Sequence, residues 1–286
     1  MHPIQHRITV ESLQLMVYEW GNSQNPAVLF LHATGFHARC WDAVIRHLDG
    51  FHCFAVDMCG HGRSDKPAQP HTWQQFGSDI AAIARQLGLK KVLGVGHSMG
   101  GNALTRAAAA VPEAFGALML IDPVIFPQAW YTLDDYTIDG HFILNRRRQW
   151  ASADEMYQSF KGRKPFTTWQ DAVLRDYCEY GLLPDGDSHQ LACPPEVEAH
   201  LYSSSRLKIN FDIYTAIRQI QVPVRVLRCA NIMAASERDL STSPTAPDLA
   251  AHFAHGTDLP LTENTHFIPM ETPDLVAEQV RTMITS

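Results

Sequence analysis

No stretch of this sequence approaches the roughly 18 consecutive apolar residues that a membrane-spanning helix requires; apolar runs such as residues 117–121 are strand-sized. The opening Met1-His2-Pro3-Ile4-Gln5-His6-Arg7 lacks the apolar block of a secretory signal. Basic charge is also scarce, with 23 Lys and Arg against 30 Asp and Glu and a formal net charge of −7. Nucleic-acid phosphates would be repelled rather than neutralised, so neither nucleic acid nor membrane is an expected partner. The six cysteines, Cys40, Cys53, Cys59, Cys178, Cys193 and Cys229, contain no CxxC. They read as reduced thiols, and a cytoplasmic protein is expected. The 15 histidines are scattered without an HxH pair, so no protein-bound metal is expected.

What is present is an alternation of strand and helix signals. Residues 7–10 and 13–20 read as a strand pair at one edge. Residues 27–31 (AVLFL) are fully apolar and too short for a helix, as in a strand buried on both faces. Helical segments are expected at 41–48, 73–87 and 100–110, and further strands at 52–56, 91–95 and 117–121. Strands alternating with helices imply a mostly parallel sheet covered on both faces. The pattern breaks at Pro123. Residues 124–221 hold no recognisable buried strand but many aromatics, among them Trp130, Tyr136, Phe142, Trp150, Trp169 and Tyr177. Sheet signals resume at 223–227 and 257–261, and a helix is expected at 274–283. We therefore expect a core of residues 1–123 and 222–286, with residues 124–221 as an all-helical cap. Within the cap, Arg146-Arg147-Arg148 reads as a solvated helix face, and most of the aromatics as cap core.

Gly96-His97-Ser98-Met99-Gly100 fits G-x-S-x-G, and it lies between an expected strand and an expected helix. A strand that turns abruptly into a helix thrusts the central side chain out of the sheet edge, and crowding at the flanking positions leaves room only for glycine. Ser98 is the expected nucleophile. The N–H of Met99, next in sequence and at a helix N-terminus, is an expected oxyanion donor.

With these residues the chain resembles the α/β-hydrolase superfamily. The resemblance rests on Leu29-Phe30-Leu31-His32-Ala33-Thr34-Gly35-Phe36, Val56-Asp57-Met58-Cys59-Gly60-His61-Gly62-Arg63-Ser64, the G-x-S-x-G turn and Asn264-Thr265-His266-Phe267, in the family's order. It implies an eight-stranded, mostly parallel sheet with a helical lid after the sixth strand. It also implies His266 as general base and the N–H of Thr34 as second oxyanion donor, with Ala33 where the family usually has glycine. The orienting carboxylate has two candidates. The strand at 223–227 is followed by no acidic residue until Glu237 and Asp239, whereas the strand before the lid ends Ile121-Asp122-Pro123. Some family members, haloalkane dehalogenases among them, carry the acid at this second place, so Asp122 is favoured and Asp239 is the alternative.

The resemblance implies a cofactor-free serine hydrolase that cleaves a carboxylic ester, lactone or thioester of a small molecule through an acyl-enzyme. C–C bond hydrolysis and perhydrolysis use the same triad, and a ligand receptor can retain the fold, because fold alone does not fix function.

Overall fold

The computed structural model describes residues 2–233 and 239–285. Eight strands form the main sheet: β1 (Ile4–Val10), β2 (Leu13–Trp20), β3 (Ala27–Leu31), β4 (His52–Asp57), β5 (Val92–His97), β6 (Phe115–Ile121), β10 (Val224–Cys229) and β11 (Gly256–Leu261). Their spatial order is β1-β2-β4-β3-β5-β6-β10-β11. β2 runs antiparallel to both β1 and β4, and every other pairing is parallel. This is the mostly parallel α/β-hydrolase sheet expected from the sequence.

The period-two geometry of a strand divides its side chains between two faces. Leu29 and Leu31 of β3 join one core with Phe54 and Val56 of β4. That core is covered by α2 (Trp73–Gln86), α3 (Met99–Ala110) and α7 (Ile213–Gln219). Val28 and Phe30 join the opposite core with Cys53 and Ala55, under α1 (Asp42–Ile45) and α9 (Pro273–Thr285). Because both faces are packed, β3, β4 and β5 are apolar almost throughout. α2 starts where the sequence supplies a capping box. The Thr72 side chain accepts from the Gln75 N–H, and the Gln75 side chain accepts from the Thr72 N–H.

Between β6 and β10 lie α4 (Ala153–Phe160), α5 (Asp171–Tyr180), α6 (Pro195–Ser204) and α7, together with several single turns; α7, although within residues 124–221, packs in the main core. The insertion is not all-helical. β7 (Gln149–Trp150), β8 (Leu182–Asp185) and β9 (Ser188–Leu191) form a three-stranded antiparallel sheet in the order β7-β9-β8. These strands have two to four residues and are largely solvent-facing, so they lack the apolar run that marks a buried strand. Their hairpin turns at Gly186-Asp187, with Gly186 in the left-handed region at φ 59°. Trp150, Tyr157, Trp169 and Tyr177 form the insertion's own core, together with Phe36, Cys40 and Phe267 from outside it.

All six cysteines are buried and free, and burial pushes the thiols of Cys53, Cys59, Cys178 and Cys229 up to about 12. The thiolate is the reactive form. The folded protein should therefore release almost no chromophore from DTNB at pH 8 within minutes, and six equivalents after unfolding in guanidinium. Rapid modification in the folded state would contradict this packing.

No helix among the described residues is long and apolar enough to cross a membrane.

Candidate active site

β5 ends at His97 and α3 begins at Met99, which leaves one residue for the turn. Ser98 makes it at φ 57°, ψ −116°, in the left-handed half of backbone space that non-glycine residues rarely occupy. The turn requires its glycines. A Cβ on Gly96 would lie 2.5 Å from the Gly100 carbonyl oxygen, and one on Gly100 would lie 2.3 Å from that of Leu31. The Ser98 N–H donates to the Ile121 carbonyl at 2.9 Å, and the Val124 N–H donates to the Ser98 carbonyl at 3.0 Å. The turn is thereby tied to the end of β6.

At that strand end Asp122 is fully buried with φ 43°. Its Oδ2 lies 2.6 Å from His266 Nδ1, and His266 Nε2 lies 3.0 Å from Ser98 Oγ. An ionised carboxylate only accepts. Nδ1 therefore carries the proton, and Nε2 is left to accept from the serine hydroxyl. The other Asp122 oxygen, Oδ1, accepts from Ser243 Oγ at 2.5 Å, and from Thr245 Oγ1 and the Cys229 N–H at 3.3 Å each.

Asp239 is exposed and caps its own loop. Its Oδ1 accepts from the Ser241 N–H at 2.9 Å and from Ser241 Oγ at 2.7 Å, which holds its carboxyl below the usual range. Its connection to the histidine runs through backbone, where the Ser241 carbonyl accepts the His266 N–H at 2.8 Å. Glu237 lies outside the described residues.

His266 sits on the loop between β11 and α8 (Ile268–Glu271), and two further contacts fix that loop. His97 Nε2 donates to the His266 carbonyl at 2.9 Å, while its Nδ1 is buried without a partner. Burial, reinforced by the neighbouring His266, keeps the His97 ring well below the ordinary imidazole range and neutral. Glu271 accepts from the Thr265 N–H at 2.9 Å and from Thr265 Oγ1 at 2.6 Å.

Ala33 and Thr34 are buried and line the same cavity as Ser98. His32 braces this loop as a neutral ring. Its Nε2 accepts the Met58 N–H at 2.9 Å, so Nδ1 donates to the Ala33 carbonyl at 2.8 Å. Gly35, at φ 79°, has no room for a side chain, because a Cβ there would meet a Glu198 carboxylate oxygen at 2.6 Å.

Glu198 belongs to α6 and forms a buried ion pair with Arg146, whose Nη2 also donates to Tyr177 Oη at 3.0 Å. The arginine run is therefore not one solvated helix face. It leaves a single 3-10 turn as an extended segment, and each arginine finds its own acid: Arg146 with Glu198, Arg147 with Glu155, and Arg148 with Glu196. Only the first pair is buried. Glu198→Ala, which strands the guanidinium, should cost about 3–5 kcal/mol in urea unfolding, whereas Glu196→Ala at the exposed pair should cost under about 1 kcal/mol. Equal losses would show that burial does not distinguish the pairs.

Ser98 and His266 open into a cavity of about 660 Å³. Ala33, Thr34, Phe36 and Phe267 line it, and residues 124–221 add Val124, Phe126, Tyr136, Phe142, Tyr202 and Arg206. Of the aromatics singled out in the sequence, Tyr136 and Phe142 reach this wall, while Trp150, Trp169 and Tyr177 pack in the insertion core. A separate grouping that spacing does not reveal is Cys59, His71 and Asp79, whose ligand-type atoms all lie within 4.8 Å of one another. His71 Nε2 and Asp79 Oδ2 are hydrogen-bonded there at 3.0 Å, and none of the three lines the cavity.

The chain belongs to the alpha/beta hydrolase family, whose profile matches residues 28–279. It is 28% identical over 288 residues to the 2-(acetamidomethylene)succinate hydrolase of Mesorhizobium japonicum, covering 99% of this chain and 96% of that protein. It is 23% identical over 274 residues to 3-oxoadipate enol-lactonase 2 of Acinetobacter baylyi, covering 93% and 91%. Among solved structures, that of E-2-(acetamidomethylene)succinate hydrolase superposes over the whole of both chains with a TM-score of 0.76 at 21% identity, a likeness of fold.

Proposed function

We propose that this protein is a serine hydrolase that cleaves a carboxylic ester, lactone or thioester of a small molecule through an acyl-enzyme. The observation that carries the reading is the unbroken chain Asp122–His266–Ser98, with links of 2.6 and 3.0 Å, ending in the cavity. Ser98 Oγ attacks the carbonyl carbon while its proton passes to His266 Nε2. Asp122 holds the ring in the tautomer that can take that proton and stabilises the imidazolium that results. The N–H groups of Met99 and Thr34 receive the developing oxyanion, that of Met99 with the dipole of α3 behind it. The tetrahedral intermediate collapses, His266 returns the proton to the leaving oxygen or sulfur, and the C–O or C–S bond breaks. Water, deprotonated by His266, then attacks the acyl-enzyme and releases the acid and Ser98. No cofactor enters these steps.

The part of residues 124–221 that precedes α7 acts as the lid of the cavity, while α7 packs on the main sheet and belongs with the catalytic core. A substrate enclosed by about 660 Å³ is a small molecule.

A fluorophosphonate probe followed by peptide mass mapping tests the nucleophile, and turnover of 4-nitrophenyl butyrate tests the bond. Labelling at Ser98 together with ester turnover supports the reading; labelling elsewhere, or none, overturns it. A second reading, cleavage of a bond other than an ester by the same groups, draws on the 28% identical relative, whose named compound contains an acetamido group and no ester. A labelled Ser98 with turnover of an N-acyl enamine but of no ester, lactone or thioester would favour it.

A further inference from the structure

The loop that carries the Thr34 N–H is a tight turn. The Phe36 N–H donates to the Ala33 carbonyl at 3.1 Å. Gly35, third of the turn's four residues, has the φ of 79° that a type II turn requires at that place. The Ala33 carbonyl also accepts His32 Nδ1 at 2.8 Å. That carbonyl and the Thr34 N–H belong to one planar trans peptide and point in opposite directions. Whatever holds the turn therefore also sets the aim of the Thr34 N–H.

The three residues after Thr34 all rest on the insertion. His37 Nε2 donates to the Tyr177 carbonyl at 3.1 Å. The Phe36 ring centre lies 5.2 Å from that of Tyr177 and 5.5 Å from that of Trp169. At Gly35 the neighbour is a carboxylate. A Cβ built on this glycine would lie 2.6 Å from Glu198 Oε1, 2.9 Å from its Cδ and 3.3 Å from its Oε2. The head of Glu198 thus fills the space beside the one residue of the turn that has no side chain to restrain it. Glu198 is itself buried, and Arg146 Nη1 binds its Oε2. Arg146 Nη2 donates to Tyr177 Oη at 3.0 Å, and Tyr177 is the ring against which Phe36 packs. Carboxylate, guanidinium and phenol form one chain that touches the turn at both Gly35 and Phe36.

We propose that Glu198, held by Arg146, is a positioning residue of the reaction: from the insertion it keeps Gly35 in the turn, and so keeps the Thr34 N–H aimed at the oxyanion. The proposal rests on the reading of Ser98 as nucleophile and of Thr34 as oxyanion donor. Glycine moves among more backbone conformations than any other residue, so a turn built on it needs a wall from outside. An oxyanion donor acts over a narrow range, about 2.7–3.1 Å from the developing charge. A displacement of about 1 Å is enough to cost on the order of 10²-fold in rate. Arg146 serves the same end, because an unpaired carboxylate in this place would oppose the negative charge that develops on the substrate. The insertion is then more than a cover, since one of the two oxyanion donors is in place only while α6 is seated.

Glu198→Ala should lower kcat for 4-nitrophenyl butyrate by about 10- to 100-fold while KM stays within about threefold. Glu198→Gln keeps the bulk beside Gly35 and should hold kcat within about threefold of the wild type. The readout that a merely structural role would not move is a ratio of two inhibition constants. Ser98 Oγ attacks the carbonyl carbon of 1,1,1-trifluoroheptan-2-one, its proton passes to His266, and the adduct places an oxyanion before the N–H donors. Heptan-2-one binds without forming that charge. The ratio of the heptan-2-one constant to the trifluoro ketone constant should fall about tenfold or more in Glu198→Ala. Glu198→Ala strands Arg146, so the double variant Arg146→Met/Glu198→Ala, which leaves no unpaired charge, is measured beside it and decides the matter if the single variant does not fold. The same fall in the ratio is expected there. A ratio within about twofold of the wild type, or equal losses of kcat in Glu198→Ala and Glu198→Gln, overturns the proposal. Fluorophosphonate separates the two readings. Ser98 labelled with the ratio unchanged overturns the positioning role alone, whereas a wild type that is not labelled at Ser98 overturns both.

Discussion

Ser98→Ala should lower kcat for 4-nitrophenyl butyrate by on the order of 10⁴-fold or more, and His266→Ala should do nearly the same. Each variant removes one end of the 3.0 Å link through which the hydroxyl loses its proton, so neither partner retains a way to act without the other. The effects should therefore not add. The double variant should be about as slow as the worse single one, with a residual rate above buffer supplied by the oxyanion donors and by binding. Stability should separate the two residues. Alanine at 98 keeps the φ of 57° and the backbone bonds to Ile121 and Val124, so the melting temperature should hardly move. Alanine at 266 removes a ring that is 9% exposed and leaves the Asp122 carboxylate buried without its nitrogen partner, so it should melt lower. Stopped-flow and steady-state kinetics on the three variants, with a melt of each, check both statements. Retention of activity within tenfold in either single variant sinks the assignment.

The sheet was legible because its strands obey a rule that needs no tertiary knowledge: a run such as 27–31, buried on two faces, must be apolar at every position. Ser98 was legible for a related reason. Its turn is so tight that two glycines are obligatory, and obligatory residues make a pattern. The short sheet of the insertion was invisible because strands of two to four residues on a surface carry no periodicity to detect. The arginine run misled for the opposite reason. Three adjacent charges look alike in sequence, yet only Arg146 meets a buried partner, Glu198, 52 positions away. Arg206 likewise had no signal of its own, since its place on the cavity wall depends on Phe126 and Trp130 from a distant segment. Glu271 and Ser243, which brace the histidine loop and Asp122, could have been sought only once those two were placed.

Asp122→Asn should cost nearly as much as the loss of Ser98, on the order of 10⁴-fold in kcat, although it changes one atom. The direction follows from which oxygen is already occupied. Oδ1 of Asp122 accepts from Ser243 Oγ, Thr245 Oγ1 and the Cys229 N–H, so an asparagine will turn its carbonyl oxygen to those donors. Its NH₂ then faces His266 Nδ1, which must become an acceptor. The proton moves to Nε2, and the nitrogen beside Ser98 can no longer take the hydroxyl proton. Asp239→Asn offers no such inversion. Asparagine still presents an oxygen to the Ser241 N–H and hydroxyl, and the group reaches His266 only through the Ser241 carbonyl, so a loss of about twofold to fivefold is expected. The ratio of the two effects is the decisive quantity, because both substitutions remove one negative charge. A large loss confined to Asp239→Asn would transfer the orienting role to that residue, and would require its loop to swing its exposed carboxylate against a ring whose Nδ1 already lies 2.6 Å from another.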